Sequence, residues 1–408
     1  MLARLNLKTK LVLIGSVLTA IPLAITLGSV ARQNIQMAGA AAEEANRLSS
    51  DDLDHIAQGV ASMCAAQQEV IQKTVETSLA VARDVMRRSG ETHVSTETVE
   101  WDAVNQFSKV STRVALPKLC VGETWLGKNA DMKVESPVVD EVRRLADVTC
   151  TVFQRMNDQG DMLRVCTNVQ NLDGTRAIGT YVPSRDPDGK PNAVVAAALA
   201  GRVYRGRAFV VNAWYVTAYE PILDAKKNVV GMLYVGVPQE SAKSLRRAIM
   251  ATRVGKTGYV YVLDSKGRYV ISKDGKRDGE DISQAKSADG QLFIQEICKK
   301  ALALKPGELA EHRYEWKNDG DAVARMKVAR IMYFEPWDWV IGAGSYVDEF
   351  CAAEQKIVAL SRSGIIWLVC AAVGAAVVSL VIWWFVGGNL ASKIGDCVRQ
   401  LEAAAAQV

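Results

Sequence analysis

Two uncharged apolar runs constrain this chain more than any other feature of its sequence. Residues 11–30 and residues 365–386 contain no Asp, Glu, Lys or Arg. At 1.5 Å of rise per residue, each is long enough as a helix to cross the roughly 30 Å hydrocarbon core of a bilayer. Pro22 interrupts the first run, which membrane helices tolerate. Trp367, Trp383 and Trp384 stand near the ends of the second, where interfacial tryptophans belong. Arg4, Lys8 and Lys10 precede the first run and only Arg32 closely follows it, so the positive-inside rule places the N-terminus in the cytoplasm. The competing reading is a signal peptide cleaved near Ser29-Val30-Ala31, against which the apolar run is long. The expected topology is a cytoplasmic 1–10, a first span at 11–30, an external insert, a second span at 365–386 and a cytoplasmic 387–408.

The insert reads as an ordinary water-soluble protein. The 49% hydrophobic content is inflated by the two runs, 23% of residues are charged, and the net charge of +4 creates no long-range field for nucleic acid. Six of the eight cysteines fall in the insert. Cys150 and Cys166 flank a hairpin turning at Asn157-Asp158-Gln159-Gly160, so they are a disulfide candidate. Two small buried thiols are the alternative. No C-x-x-C-H occurs, and His55, His93 and His312 lack metal-ligand spacing, so neither a cofactor nor a metal is expected. Gly255-Lys256-Thr257 imitates a phosphate loop, but Met250 stands where its first glycine is required. With no G-x-S-x-G or H-E-x-x-H motif, an enzyme is not expected.

Residues 31–90 read as a long stalk helix. Leu53, Ile56, Val60, Met63 and Val70 follow a 3–4 spacing, broken at Gln67, and Ile71, Val75, Leu79, Ala82 and Met86 continue on a shifted stripe. Strands and turns follow. Residues 148–153, 162–169 and 175–182 read as a meander, 193–200 as a short helix, 209–219 and 229–237 as strands, and 239–252 as helical. The pattern then repeats: strands at 259–263 and 268–271, a helix at 292–304, and strands near 312–316, 323–333 and 339–344. Tyr219-Glu220-Pro221 matches Phe334-Glu335-Pro336. The fold class is therefore α+β: two tandem antiparallel-sheet modules, 91–240 and 241–360, each with a helix on one side.

Residues 147–183, with Thr151-Val-Phe-Gln-Arg-Met-Asn157, resemble the first module of tandem Cache sensors, as does Trp214-Tyr-Val-Thr-Ala-Tyr-Glu-Pro-Ile222. Gly255-Lys-Thr-Gly-Tyr-Val-Tyr-Val262 through Pro336-Trp-Asp-Trp-Val-Ile-Gly-Ala-Gly-Ser-Tyr-Val-Asp348 is similar to the PAS-like Cache module common in bacterial chemoreceptors. The whole resembles the Cache 3–Cache 2 fusion of a methyl-accepting chemotaxis protein. One departure is visible: where many second modules carry His-Pro after the second strand, this chain has Ser272-Lys273. The resemblance implies a two-pass receptor of the bacterial inner membrane, a homodimer, with a periplasmic or extracellular sensor. It also implies a chemotaxis kinase and adaptor as partners of a signalling part beyond residue 408. A sensor histidine kinase or nucleotide cyclase with the same front end is a second reading, and a membrane-anchored structural protein without a ligand a third. Ile394, Val398, Leu401, Ala405 and Val408 begin a heptad seam, alternatively a surface-lying amphipathic helix, and no proline-bearing HAMP start follows Gly387-Gly388.

A pocket for a small anion requires guanidinium or ammonium donors with hydroxyls on one strand face. In the first module Arg164 and Asn168 are expected on one face and Tyr215, Thr217 and Tyr219 on another, with Arg176, Tyr181 and Arg207 on neighbouring segments. In the second, Tyr259 and Tyr261 alternate with valines, Lys327 sits on a strand, and Tyr314, Trp316, Trp337 and Trp339 supply aromatic walls. For each residue the alternative is a half-buried aromatic or a surface ion pair. A small carboxylate is the ligand class that the resemblance implies.

Overall fold

The computed structural model describes residues 6–405 apart from 212, 242, 288–289 and 318–321. Helix α1 (Leu7–Ser89) runs unbroken through the first apolar run and the stalk, with Pro22 inside it. The Asn6 side chain accepts from the Thr9 amide at 2.9 Å, satisfying one of the open N–H groups of the first turn. Gly90 ends the helix at φ 122°, a conformation that residues with a Cβ avoid.

The face that α1 buries differs from the expected one. Leu53, Ala57, Val60, Cys64, Ile71, Val75, Leu79, Ala82 and Met86 form one stripe, whereas Met63 and Val70 are exposed. There is no break at Gln67. Gln68 fills the place between Cys64 and Ile71, and its Oε1 accepts from Trp337 Nε1 at 2.6 Å.

After α1, strands β1 (Thr92–Asn105) and β2 (Ser111–Val121) form a long antiparallel hairpin with β3 (Thr124–Trp125) at its edge, none of which the sequence pattern marks. Helix α2 (Val139–Ala146) precedes β4 (Thr149–Arg155), β5 (Met162–Thr167), β6 (Thr180–Val182), α3 (Ala193–Leu199), β7 (Tyr204–Val210), β8 (Ala213–Leu223) and β9 (Val229–Pro238). The strand expected at 209–219 is thus two, reversing at Val211 with φ 58°. Their order is β5-β4-β9-β8-β7, and the β1–β3 unit joins this sheet through a parallel β1–β6 pairing.

Helix α4 (Lys243–Ala251) leads to β10 (Arg253–Val254), β11 (Gly258–Asp264), β12 (Tyr269–Ile271), α5 (Phe293–Leu302), β13 (Ala310–Trp316), β14 (Arg325–Phe334) and β15 (Trp339–Tyr346). Here β11 pairs with β12 on one side and the order continues β15-β14-β13. Numbered within each unit, both sheets run 2-1-5-4-3. The repeated sequence pattern is therefore a repeated topology, that of two PAS-like modules.

Helix α1 crosses the same face of both sheets. Asp54 pairs with Arg330 of the second sheet at 2.8 Å. Further along, Glu76 pairs with Arg205 at 3.1 Å and Arg83 Nε bonds Glu220 at 2.9 Å, both in the first sheet. The first sheet therefore sits farther from the apolar run than the second. On the opposite faces, α3 covers Phe153, Met232 and Tyr234, and α5 covers Tyr261, Leu263 and Val340.

Helix α6 (Val347–Ala405) follows β15 without a loop and carries the second apolar run. Thr19 and Ser379 share a hydrogen bond at 2.7 Å between α1 and α6. A Cβ on Gly15 would lie 2.1 Å from the Trp383 ring, so glycine sets their close approach. Both helices are long and apolar enough to cross a membrane. Of the heptad seam, Ile394, Val398, Leu401 and Ala405 are exposed. Val408 and the N-terminal Arg4 lie outside the described residues.

Candidate ligand-binding site

Strand alternation on β11 sends Val260 and Val262 towards α1 and Tyr259 and Tyr261 towards α5. Lys327 on β14, flanked in register by Tyr314 and Tyr346, reaches the same face and is fully buried. Its Nζ lies 3.4 Å from the Tyr259 ring centroid, 5.3 Å from that of Tyr261 and 5.7 Å from that of Tyr346. It has no hydrogen-bond partner among the described residues. Two glycines of β15 make the room: a Cβ on Gly344 would lie 2.6 Å from Lys327 Cε, and one on Gly342 2.2 Å from Tyr261 Cζ. Tyr314 bonds Tyr261 through their hydroxyls at 3.4 Å and stacks on Phe293 of α5 at 4.7 Å.

A second cation faces this cage. Lys273, in the turn after β12, places its Nζ 5.4 Å from the Tyr259 ring. It belongs to the Ser272-Lys273 pair that stands in place of His-Pro. Ser272 itself turns away, its hydroxyl donating to Asp278 at 2.8 Å. Burial, and then the nearby Lys273 charge, hold the Lys327 ammonium well below the usual lysine range. Burial likewise pushes Tyr269 up to about 12. An unpaired buried ammonium is costly, and a ligand carboxylate would relieve that cost. Lys273, Tyr269 and Tyr346 complete the surroundings. The sequence reading did not single out these three among its candidates, although the Ser272-Lys273 departure was a signal for the first.

Trp337 and Trp339 do not join them. Both lie on the α1 face of the sheet, edge to face at 4.7 Å, in the core that seats the helix. The aromatic walls expected from them are structural.

In the first module, Arg164 is 2% exposed on the face covered by α3. Its Nη1 donates to Thr180 Oγ1 and to the Ala177 carbonyl, its guanidinium lies 5.0 Å from the Phe153 ring centroid, and its Nε has no hydrogen-bond partner among the described residues. Burial draws its pKa down, against the influence of Tyr219, Tyr234 and Tyr215. Tyr215, Thr217 and Tyr219 do share a face, towards Arg164, while Val216 and Ala218 face α1.

Asn168 is not with Arg164. A β-bulge shifts the register so that Val152 pairs with Cys166 but Phe153 pairs with Arg164. The extra residue turns the strand over, as bulges do. Asn168 then points to the α2 side, accepting from the Cys150 amide at 2.7 Å and donating to the Val139 carbonyl at 2.8 Å. The same register corrects the disulfide expectation: Cys166 stands opposite Val152 rather than Cys150, and both thiols are free and buried. Burial pushes the Cys166 thiol up to about 12.

The remaining candidates hold the scaffold. Arg176 makes a two-pronged pair with Asp140 at 3.0 and 2.7 Å and donates to the carbonyls of Asp131, Val134 and Thr167. Arg207 stacks 3.7 Å over Trp214 and pairs with Asp338 of the second module at 3.7 Å, joining the two. The Tyr181 hydroxyl accepts from Asn105 at 3.2 Å on the sheet rim. A cavity of about 500 Å³ opens at the end of the first sheet beside Thr149, Asn168 and Tyr215. A groove of about 830 Å³ runs between α1 and the second sheet past Gln58, Ala61, Pro306 and Phe334.

The profile of the Cache 3/Cache 2 fusion domain matches residues 39–359. The chain belongs to this family. Among the relatives of this Cache chain is the sensor histidine kinase MctS of Rhizobium johnstonii, 29% identical over 132 residues, which are 32% of this chain and 28% of that protein. Another is the methyl-accepting chemotaxis protein McpP of Pseudomonas putida, 26% identical over 219 residues, 50% of this chain and 38% of that protein. The match thus spans well under two thirds of either curated relative. A solved periplasmic sensor domain of a chemotaxis protein is 30% identical, with 26% of this chain and 76% of that one covered and a TM-score of 0.24. The Cache 3/Cache 2 fusion is a sensory receptor domain, and here it stands between two apolar helices.

Proposed function

We propose that this chain is the sensory part of a two-pass chemoreceptor of the bacterial inner membrane that recognises a small carboxylate in the Lys327 cage. The N-terminus lies in the cytoplasm, a reading that the basic residues before the first span support, and the Cache modules, at 91–240 and 241–360, lie outside it. The observation that carries the reading is the buried Lys327 ammonium, ringed by Tyr259, Tyr261 and Tyr346, with no partner of its own among the described residues. Lys273 adds a second positive charge, so a single carboxylate would find both. Binding biases the receptor only through differential affinity for two arrangements of a homodimer, and α6 delivers that bias to a cytoplasmic coil starting at 387–408. A chemotaxis kinase and adaptor are the partners of that coil. A histidine kinase output is the alternative, supported by the relative of that class.

Calorimetry on the full chain in nanodiscs, with acetate, propionate and pyruvate as probes, tests the site. Lys327→Met should weaken binding by about tenfold or more, the scale of a lost charge-assisted hydrogen bond. The Nε of Arg164, without a hydrogen-bond partner among the described residues, supports a second reading, in which the first module takes the ligand. Binding that survives Lys327→Met and is lost in Arg164→Leu would establish that one instead. No heat with any probe would favour a structural role without a ligand.

A further inference from the structure

The string Gly255-Lys256-Thr257, which fails as a phosphate loop, is occupied by a carboxylate of the chain itself. Glu349, in the first turn of α6, accepts from the Lys256 amide at 2.8 Å, the Thr257 amide at 3.2 Å and the Ser345 hydroxyl at 3.3 Å through one oxygen. Its other oxygen accepts from the Thr257 hydroxyl and from Arg325 at 3.4 Å. Successive backbone amides in a turn make such an anion-holding nest. Gly255 adopts φ +59°, and a Cβ there would lie 2.9 Å from the Glu349 carboxylate, so this position serves the contact. Burial alone would raise the Glu349 pKa, but the Thr257 hydroxyl and the two amides outweigh it and hold the carboxyl below its usual range.

An acidic residue in the first turn of a helix is ordinarily explained by its own helix's open amides and dipole. Glu349 spends its oxygens elsewhere, on the turn between β10 and β11, on β15 and on β14. Arg325 reinforces the joint by pairing with Asp348 at 3.0 and 2.8 Å. Its guanidinium lies 3.9 Å from the Tyr346 ring centroid, the ring that also faces Lys327. Arg325 and Lys327 are alternate residues of β14, and Tyr346 is the last residue of β15 before α6. The cage and the start of the membrane-crossing helix thus share one aromatic ring.

We propose that Glu349, clasped by the Gly255–Thr257 turn and Arg325, is the positioning residue that sets the axial position of α6, and hence of the second span, relative to α1. Because α6 is one helix from Val347 to Ala405, an offset at its first turn is carried to its cytoplasmic end.

The test reads the register of the two spans in the full chain in nanodiscs, with no ligand, after Cys370 and Cys397 are replaced by Ser. Disulfide formation is compared for Thr19→Cys paired with Ser379→Cys, with Ala376→Cys and with Ile382→Cys. The Thr19/Ser379 pair should form fastest with the clasp intact. Glu349→Ala should move the ratio of rates towards a neighbouring pair by about threefold or more, a modest population shift. Thr257→Val should move it less and in the same direction, and Glu349→Gln, which keeps an acceptor, should restore part of the ratio. An unchanged ratio in Glu349→Ala, with the thermal midpoint kept within about 3 °C, overturns the proposal. Should Glu349→Ala fail to fold, unchanged ratios in both Thr257→Val and Arg325→Lys overturn it equally. The experiment contains no ligand, so failure of carboxylate binding at Lys327 leaves its outcome intact.

Discussion

Lys327 Nζ lies 3.4 Å from the centre of the Tyr259 ring, on an aromatic sheet face where it has no hydrogen-bond partner among the described residues. Ring faces attract a cation, yet they compensate only part of the loss of water around an ammonium. The free protein therefore carries a cost at this residue that a bound anion would remove.

Lys327→Met should raise the thermal stability of the protein, by about 1–3 kcal/mol if the methionine packs in the same space. It should also abolish any stabilisation by carboxylates. The pH dependence has a definite sign. The folded pKa of Lys327 is depressed, so between that value and the unfolded value near 10.4 the unfolded chain binds the extra proton. Wild-type stability relative to Lys327→Met should therefore rise with pH across that window. Chemical denaturation at a series of pH values measures it, and a flat difference would refute the prediction.

Carboxylate binding should draw a proton onto Lys327, because an anion beside it favours the charged form. Calorimetry at alkaline pH in two buffers of different ionisation enthalpy should reveal net proton uptake, absent in Lys327→Met.

Gly342→Ala should be destabilising by about 1–3 kcal/mol, the usual cost of overpacking. Its new methyl meets the Tyr261 ring at 2.2 Å. Urea denaturation gives the size of the effect. A double variant with Tyr261→Leu should recover part of the loss.

Arg176→Ala should destabilise the first module by about 3–5 kcal/mol, since it strands Asp140 inside the protein. The Arg176 side chain is 1% exposed and that of Asp140 16%. Carboxylate affinity at Lys327, in the other sheet, should stay unchanged. A large loss of affinity would mean that the two modules communicate through the first sheet's edge.

Arg207 and Asp338 should show a coupling of about 0.5–1 kcal/mol in a double-mutant cycle with Arg207→Ala and Asp338→Asn. The pair is half-screened, with side chains 17% and 27% exposed. A coupling of zero would leave the stacking of Arg207 on Trp214 as its whole contribution.

The two long helices with their apolar runs, the repeated sheet pattern and the inward face of β11 were legible because each rests on a local signal in the sequence. What sequence reasoning missed depends on partners far along the chain. The bulge that separates Arg164 from Asn168 exists only in the pairing of β4 with β5, so counting by twos along one strand could not find it. Met63 and Val70 looked like core and are exposed, whereas Ala57, Cys64 and Gln68 face the sheets because a close-packed helix favours small side chains and one specific hydrogen bond. Trp337 and Trp339 were recognised as aromatic, but which face they serve was decided by α1. The hairpin β1–β2 escaped notice because much of its length is exposed and carries no apolar alternation.

The strand order has a consequence for how the chain is made. In each sheet the last strand to be synthesised is inserted between two earlier ones, β9 between β4 and β8 and β15 between β11 and β14. Until that strand arrives, the two halves of the sheet have nothing to pair across, and the non-local contacts that close a core cannot form. The core of each module is therefore completed only by its last strand. The second module closes only once Tyr346 has been made, one residue ahead of the helix that carries the second apolar run.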